Sequence, residues 1–163
     1  MNPRILILPF YILFFFQCTT TAQNNPDSLK KIIDNYTQDD SVKATMLIQL
    51  AWMLNGIDPD SCYVVSREAL ELSKKIKFHK GTAGAYNSMG IARQNQGDYK
   101  SAMELYFKSL KLYEKLYNQN QGVNSIRAGL GNAYNNIGVV YQVNEDYEKA
   151  MNYYKKALDF YTK

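Results

Sequence analysis

Apolar positions recur along this chain with helical spacing, and they do so twice in the same order. Tyr99, Ala102, Met103, Tyr106, Leu110 and Tyr113 follow one another at three- and four-residue steps. Tyr147, Ala150, Met151, Tyr154, Leu158 and Tyr161 do the same 48 residues later. Residues at such steps share one face of a helix, so each set predicts an amphipathic helix with that face turned inward. Each is preceded by a break, Gly97-Asp98 in the first copy and Asn144-Glu145-Asp146 in the second. Asp98 and Asp146 are suited to accept the orphan backbone N–H groups that open the next helix.

The repetition extends upstream of the breaks. Residues 86–115 and 134–163 agree at 13 of 30 positions without a gap, including Tyr86/Tyr134, Gly90/Gly138, Ala102/Ala150 and Tyr106/Tyr154. A repeating unit of two helices follows, since such units bury their apolar faces only by stacking. Gly90 and Gly138 fall within the first helix of each unit, where glycine costs about 1 kcal/mol relative to alanine. Close approach of another helix would offset that cost, and Ala102 and Ala150 are expected opposite them.

A third, degenerate unit precedes these. Ala51, Leu54, Cys62, Ser66, Ala69 and Leu70 take comparable positions around a turn at residues 56–60. Leu29, Ile32, Ile33 and Tyr36 predict a lead-in helix over about 28–36. The steps between units are uneven, 39 residues from Ala51 to Gly90 and 48 from Gly90 to Gly138. The extra length lies in 118–130, which either lengthens its neighbouring helices or projects as a loop. Its Gly122, Gly129 and Gly131 favour some loop character.

With Tyr86, Gly90, Ala102 and Tyr106, and again Tyr134, Gly138, Ala150 and Tyr154, the chain resembles the tetratricopeptide repeat family. Tyr141 and Ala157 fit the same pattern, whereas Arg93 and Ser109 depart from it and no closing proline follows either unit. The resemblance covers about 41–163: a degenerate unit at 41–80, a unit at 81–117, an insertion at 118–133 and a unit at 134–163. It implies an all-α fold, a right-handed superhelical solenoid of antiparallel helix pairs. It also implies a concave groove lined by the first helix of each pair, which binds a protein or peptide. By register the groove residues are Ile48, Trp52 and Asn55; Asn87, Ile91, Gln94 and Asn95; and Asn132, Asn135, Val139 and Gln142. Trp52, the one tryptophan, reads either as a binding anchor or as core between the first two units. A basic clamp for C-terminal carboxylates, known in part of the family, lacks its Lys and Arg at these positions.

The first residues differ in kind. Arg4 precedes an uncharged run from Ile5 to Phe16, which gives way to Gln17-Cys18-Thr19-Thr20-Thr21-Ala22. This is the layout of a secretory signal peptide over 1–22, with 23–40 as the lead-in to the array. The expected location is outside the cytoplasm, in the periplasm or cell envelope. A membrane association would require that the segment stay uncleaved or that Cys18 be lipidated. Exported stretches of this look also form the N-terminal sensory part of longer signalling chains, histidine kinases or transcriptional regulators, and the resemblance admits that role.

Composition narrows the chemistry. The net charge is +4 over 163 residues and no Lys/Arg block occurs, so nucleic acid is not an expected partner. There is one histidine, His79, in a polar turn with no second ligand at metal spacing. Asp58 and Asp60 flank Pro59 as turn residues. No phosphate loop, dinucleotide fingerprint or nucleophile elbow is present. No enzymatic activity, cofactor or metal is expected. Behind the signal segment only Cys62 remains, and it reads as a small buried residue. Finally, Tyr153 and Phe160, in register with Leu105 and Leu112, are expected to form an exposed end face. A continuation of the chain, a second copy or a partner would cover it, and a second copy would make a homo-oligomer through the C-terminal helix.

Overall fold

The computed structural model describes residues 25–119 and 123–162. The expected signal peptide, its cleavage point and Cys18 lie outside these residues. The described residues form two compact units, divided between Thr37 and Gln38. The first holds one helix, α1 (Pro26–Asn35), opened by Asn25, whose side chain accepts from the Asp27 amide at 2.9 Å. Among the described residues no helix is long and apolar enough to cross a membrane.

The second unit is the repeat array: α2 (Ser41–Leu54), α3 (Pro59–Lys75), α4 (His79–Asn95), α5 (Tyr99–Gln119), α6 (Asn124–Val143) and α7 (Tyr147–Thr162). Helices α2/α3, α4/α5 and α6/α7 pack as pairs, and each pair stacks on the next. The first helices also touch one another, α2 on α4 and α4 on α6. These are the antiparallel pairs of an all-helical solenoid.

Local chemistry sets the breaks. Asp58, Asp98 and Asp146 each cap a second helix by accepting a backbone N–H three residues on, at 3.0, 3.0 and 3.2 Å. Just before them the chain turns through positive φ at Gly56, Gly97 and Glu145. Glycine adopts that conformation freely, whereas Glu145 adopts it at a cost of about 1–2 kcal/mol. The turn closes in each case with paired backbone bonds, such as Gly97 N to Gln94 O and Asp98 N to Arg93 O.

The core runs along the pairs. Ala102, Tyr106, Leu110 and Tyr113 of α5 are buried with Ile126, Leu130, Ala133, Ile137 and Val140 of α6. Gly90 does lie at a close crossing, but its neighbour is Tyr106 rather than Ala102. A Cβ built there would stand 2.5 Å from Tyr106 Cε1, and one on Gly138 would stand 2.7 Å from Tyr154 Cε1. The large aromatic ring needs the missing side chain, and the buried alanine does not. The degenerate unit follows the same size rule: Ala51 replaces the glycine where Ser66 replaces the tyrosine, and both are buried.

Most of residues 118–130 is helical. Compared with α3 and α4, helix α5 runs about one turn further at its C-terminal end and α6 starts about one turn earlier. Gly122 lies outside the described residues; the other two glycines expected to favour a loop, Gly129 and Gly131, are instead contact points. A Cβ on Gly129 would overlap the Tyr113 ring, and one on Gly131 the Tyr161 ring.

Candidate functional site

The wall made by α2, α4 and α6 carries all eleven residues expected from register, and none of them is buried. Trp52 is 67% exposed, so it is not core between the first two units. Its ring stands on α2 largely in solvent, a large amphipathic surface. Ile48 lies against the next first helix, its Cδ1 3.3 Å from a Cβ placed on Gly84. Ile91 is half-buried against the main core, so part of its surface is structural.

The amides of this wall are engaged with one another. Asn95 Nδ2 donates to Asn55 Oδ1 at 2.5 Å, joining α4 to α2. Asn136 Nδ2 donates to Asn87 Oδ1 at 3.0 Å, joining α6 to α4. Both pairs tie successive first helices side by side across the wall. Asn136 was not among the expected residues, because register alone does not tell which of adjacent asparagines faces the neighbour.

Three other oxygens are taken by tyrosine hydroxyls. Tyr106 OH donates to Gln94 Oε1 at 3.0 Å, Tyr154 OH to Gln142 Oε1 at 2.6 Å, and Tyr161 OH to Asn132 Oδ1 at 2.7 Å. Gln94/Tyr106 and Gln142/Tyr154 stand at the same twelve-residue separation in both units, a pairing already written in the repeat. Burial pushes the Tyr106 hydroxyl well above the usual phenol range and the Tyr113 hydroxyl up to about 12. Both are neutral at any physiological pH. An amide whose oxygen is engaged has its N–H groups as its remaining hydrogen-bonding capacity. The wall is therefore rich in amide donors, with Lys80 of α4 also donating across it to Ser125 of α6 at 3.4 Å, and it suits the carbonyl groups of an extended peptide.

The guanidinium of Arg93, although on α4, faces the first pair. Arg93 lies over the Tyr63 ring at 4.0 Å and donates to Gln96 Oε1 at 3.0 Å. Gln96 in turn donates to Asp60 at 2.6 Å, clipping the first pair to the second. Asp60 thus belongs to an inter-pair contact. His79 is the exposed first residue of α4. Cys62 is buried, and that burial pushes its thiol pKa up. Among the described residues no cluster of His, Cys, Asp and Glu is placed to hold a metal ion.

The end-face expectation is corrected in its residues. Tyr153 and Phe160 do not point off the end; both are half-buried and pack back on the core. Tyr153 stacks on Tyr141 at 5.3 Å, Phe160 stacks on Tyr134 at 5.7 Å, and Tyr117 meets Phe160 edge-on at 5.4 Å. Large rings in place of Leu105 and Leu112 reach α6 and α5, which the shorter leucine register did not suggest. The exposed apolar residues of α7 are Tyr147, Met151, Leu158 and Tyr161.

Stacked helix pairs, glycine–tyrosine crossings and a wall of first helices place the chain in the class of helical-repeat binding scaffolds. Residues 103–163 and residues 82–121 each match a family model described as Tetratricopeptide repeat, and together the matches cover half of the chain. The chain belongs to the tetratricopeptide repeat family. No curated protein matches it. Among solved structures it is similar to the crystal structure of BtubC (BKLC) from P. vanneervenii. That similarity is 14% identity over 88% of this chain and 74% of the other, with a TM-score of 0.47.

Proposed function

We propose that this protein is an exported scaffold that holds an extended segment of a partner protein on the wall of α2, α4 and α6. The family mediates protein–protein interaction, and the observation that carries the finer reading is the wall itself. Trp52 stands exposed on a wall where the oxygens of Asn55, Gln94 and Gln142 are already bonded, so the amides' further capacity is as N–H donors. A partner's backbone carbonyls match those donors, and an apolar side chain matches the Trp52 ring. The export half of the reading rests on Arg4, the Ile5–Phe16 run and the small residues up to Ala22.

The test places a photo-reactive amino acid at position 52 or 135 in the full chain, with position 111 on α5 as a control. Cross-linking in the expressing cell is expected at 52 and 135 and not at 111. Trp52→Ala should weaken capture by roughly 2 kcal/mol, the loss typical of an aromatic anchor. Equal cross-linking at all three positions would remove the wall as the binding surface.

A further inference from the structure

The two seams between successive pairs share one register but are not closed in the same way. Where α3 meets α4, the guanidinium of Arg93 lies over the Tyr63 ring at 4.0 Å and donates to Gln96 Oε1 at 3.0 Å. Gln96 Nε2 donates in turn to Asp60 at 2.6 Å. A cation on a ring, tied to the carboxamide that ends α4, fills that seam. Where α5 meets α6, Tyr141 holds the Arg93 position and stacks on Tyr153 of α7 at 5.3 Å. Lys100 holds the Asp60 position, so it offers no acceptor to Asn144, the counterpart of Gln96. Plug and clip are both replaced, and a groove of about 430 Å³ lies open between the two helices.

Its lining keeps the groups that hold the guanidinium in the first seam. Tyr99, Met103 and Phe107 follow at four-residue steps, a stripe along α5 that lines the groove with Val140 of α6. Phe107 is 40% exposed, an aromatic face left partly in solvent on the middle pair. Asn144 brings a carboxamide oxygen to the place from which Gln96 serves Arg93. Glu104 adds a carboxylate where α3 has Val64. Among the described residues it makes no ion pair. Ring faces, an amide oxygen and a carboxylate are together what a guanidinium uses: a planar cation that stacks and donates from its edges. Lys100, the basic group on the rim, is exposed and can turn into solvent.

We propose that the groove between α5 and α6 receives an arginine side chain presented by a partner polypeptide, its guanidinium against Tyr99 and Phe107, bonded to Asn144 and paired with Glu104. The first seam shows the mode of entry, since Arg93 reaches its ring from a backbone that stays outside. The groove contains none of the eleven wall residues, so the inference goes beyond the wall reading and does not depend on it.

The probe is N-acetyl-arginine amide, titrated into the isotope-labelled full chain and followed by the amide shifts of α5 and of the turn after α6. Saturable binding is expected at about a millimolar, as befits one side chain. N-acetyl-citrulline amide, nearly the same shape without the charge, should bind about tenfold more weakly or worse. Glu104→Gln should weaken the arginine probe about tenfold and Phe107→Ala about threefold. Lys100→Ala should strengthen it about twofold by removing a like charge, and Lys111→Ala, outside the groove, should leave it unchanged. These side chains are exposed, so unchanged helical circular dichroism is expected of every variant. Equal binding of the citrulline probe, or binding indifferent to both Glu104→Gln and Phe107→Ala, would overturn the proposal, as would an absence of shifts at the groove. Free L-arginine binding more tightly than the capped form would make the occupant a free amino acid and overturn the partner assignment.

Discussion

Replacing Gly90 with alanine is expected to destabilise the array, although alanine is the better helix former. The substitution gains about 1 kcal/mol of helix propensity. Against that, the new methyl would stand 2.5 Å from Tyr106 Cε1, far inside contact distance, on a ring that is fully buried. Overpacking of this kind costs about 1–3 kcal/mol. The only relief is to move the ring, which breaks the Tyr106–Gln94 hydrogen bond, worth about 1 kcal/mol. The net expected loss is about 1–3 kcal/mol. Gly138→Ala is the internal control. Its methyl would stand 2.7 Å from Tyr154 Cε1, but Tyr154 is half-buried on the last helix and can swing outward. There the ring relieves the clash by moving, and the propensity gain offsets the loss of the Tyr154–Gln142 hydrogen bond, so the net change stays within about 1 kcal/mol. Urea unfolding followed by circular dichroism at the helix band measures both, read as a shift in midpoint at constant slope. A Gly90→Ala chain as stable as the parent, or a Gly138→Ala chain that loses as much as Gly90→Ala, would refute the crossing argument.

Three further outcomes are expected. Glu145→Gly should stabilise the chain by about 1 kcal/mol in the same urea assay, because glycine removes the cost of positive φ at that turn. The caps make stability depend on acid. Bonding to Ser61 lowers the Asp58 pKa, bonding to Ser101 lowers that of Asp98, and bonding to Lys149 lowers that of Asp146. A carboxyl with a depressed folded pKa contributes stability above its unfolded value of about 4 and loses it as pH falls through the folded value. Thermal midpoints should therefore be flat from neutral pH down to about 4 and fall below it, and a triple Asp→Asn chain should show a shallower acid limb. The Cys62 thiol, buried and raised in pKa, should react with a thiol reagent at the rate of local opening and not at that of a free cysteine; a burst in the folded protein would contradict its burial.

Repetition made the fold legible. The 48-residue match aligned the glycines with the tyrosines, and spacing alone placed α4, α5, α6 and α7 and the aspartate caps of α5 and α7. The first pair was legible only in outline, because its glycine and tyrosine had become Ala51 and Ser66, a smaller ring-free version of the same crossing. The 118–130 stretch was misleading because glycine signals either a loop or a close helix contact. Only the position of Tyr113 and Tyr161 decides which. At the candidate site the register found the right helices but not which amides face each other. Hydrogen bonds such as Asn136 to Asn87 depend on the angle between helices, and no single helix records that angle. The end face was placed on the wrong side of α7 because Tyr153 and Phe160 are longer than the leucines they replace.

The one-turn extensions of α5 and α6 carry a rule about how such an array can change length. Helix α5 gains its turn where it leaves the pair and α6 gains its turn where it enters the next, so the two additions lie alongside each other. Tyr117, on the added turn of α5, reaches across to the Phe160 ring. An insertion into one helix alone would rotate every later side chain by about 100° per residue and scramble the stripe. Matched insertions on both sides of a turn leave every later contact in phase. Length variation here behaves like adding a rung to a ladder: two uprights must grow together, and the array tolerates it only at the hairpin where they meet.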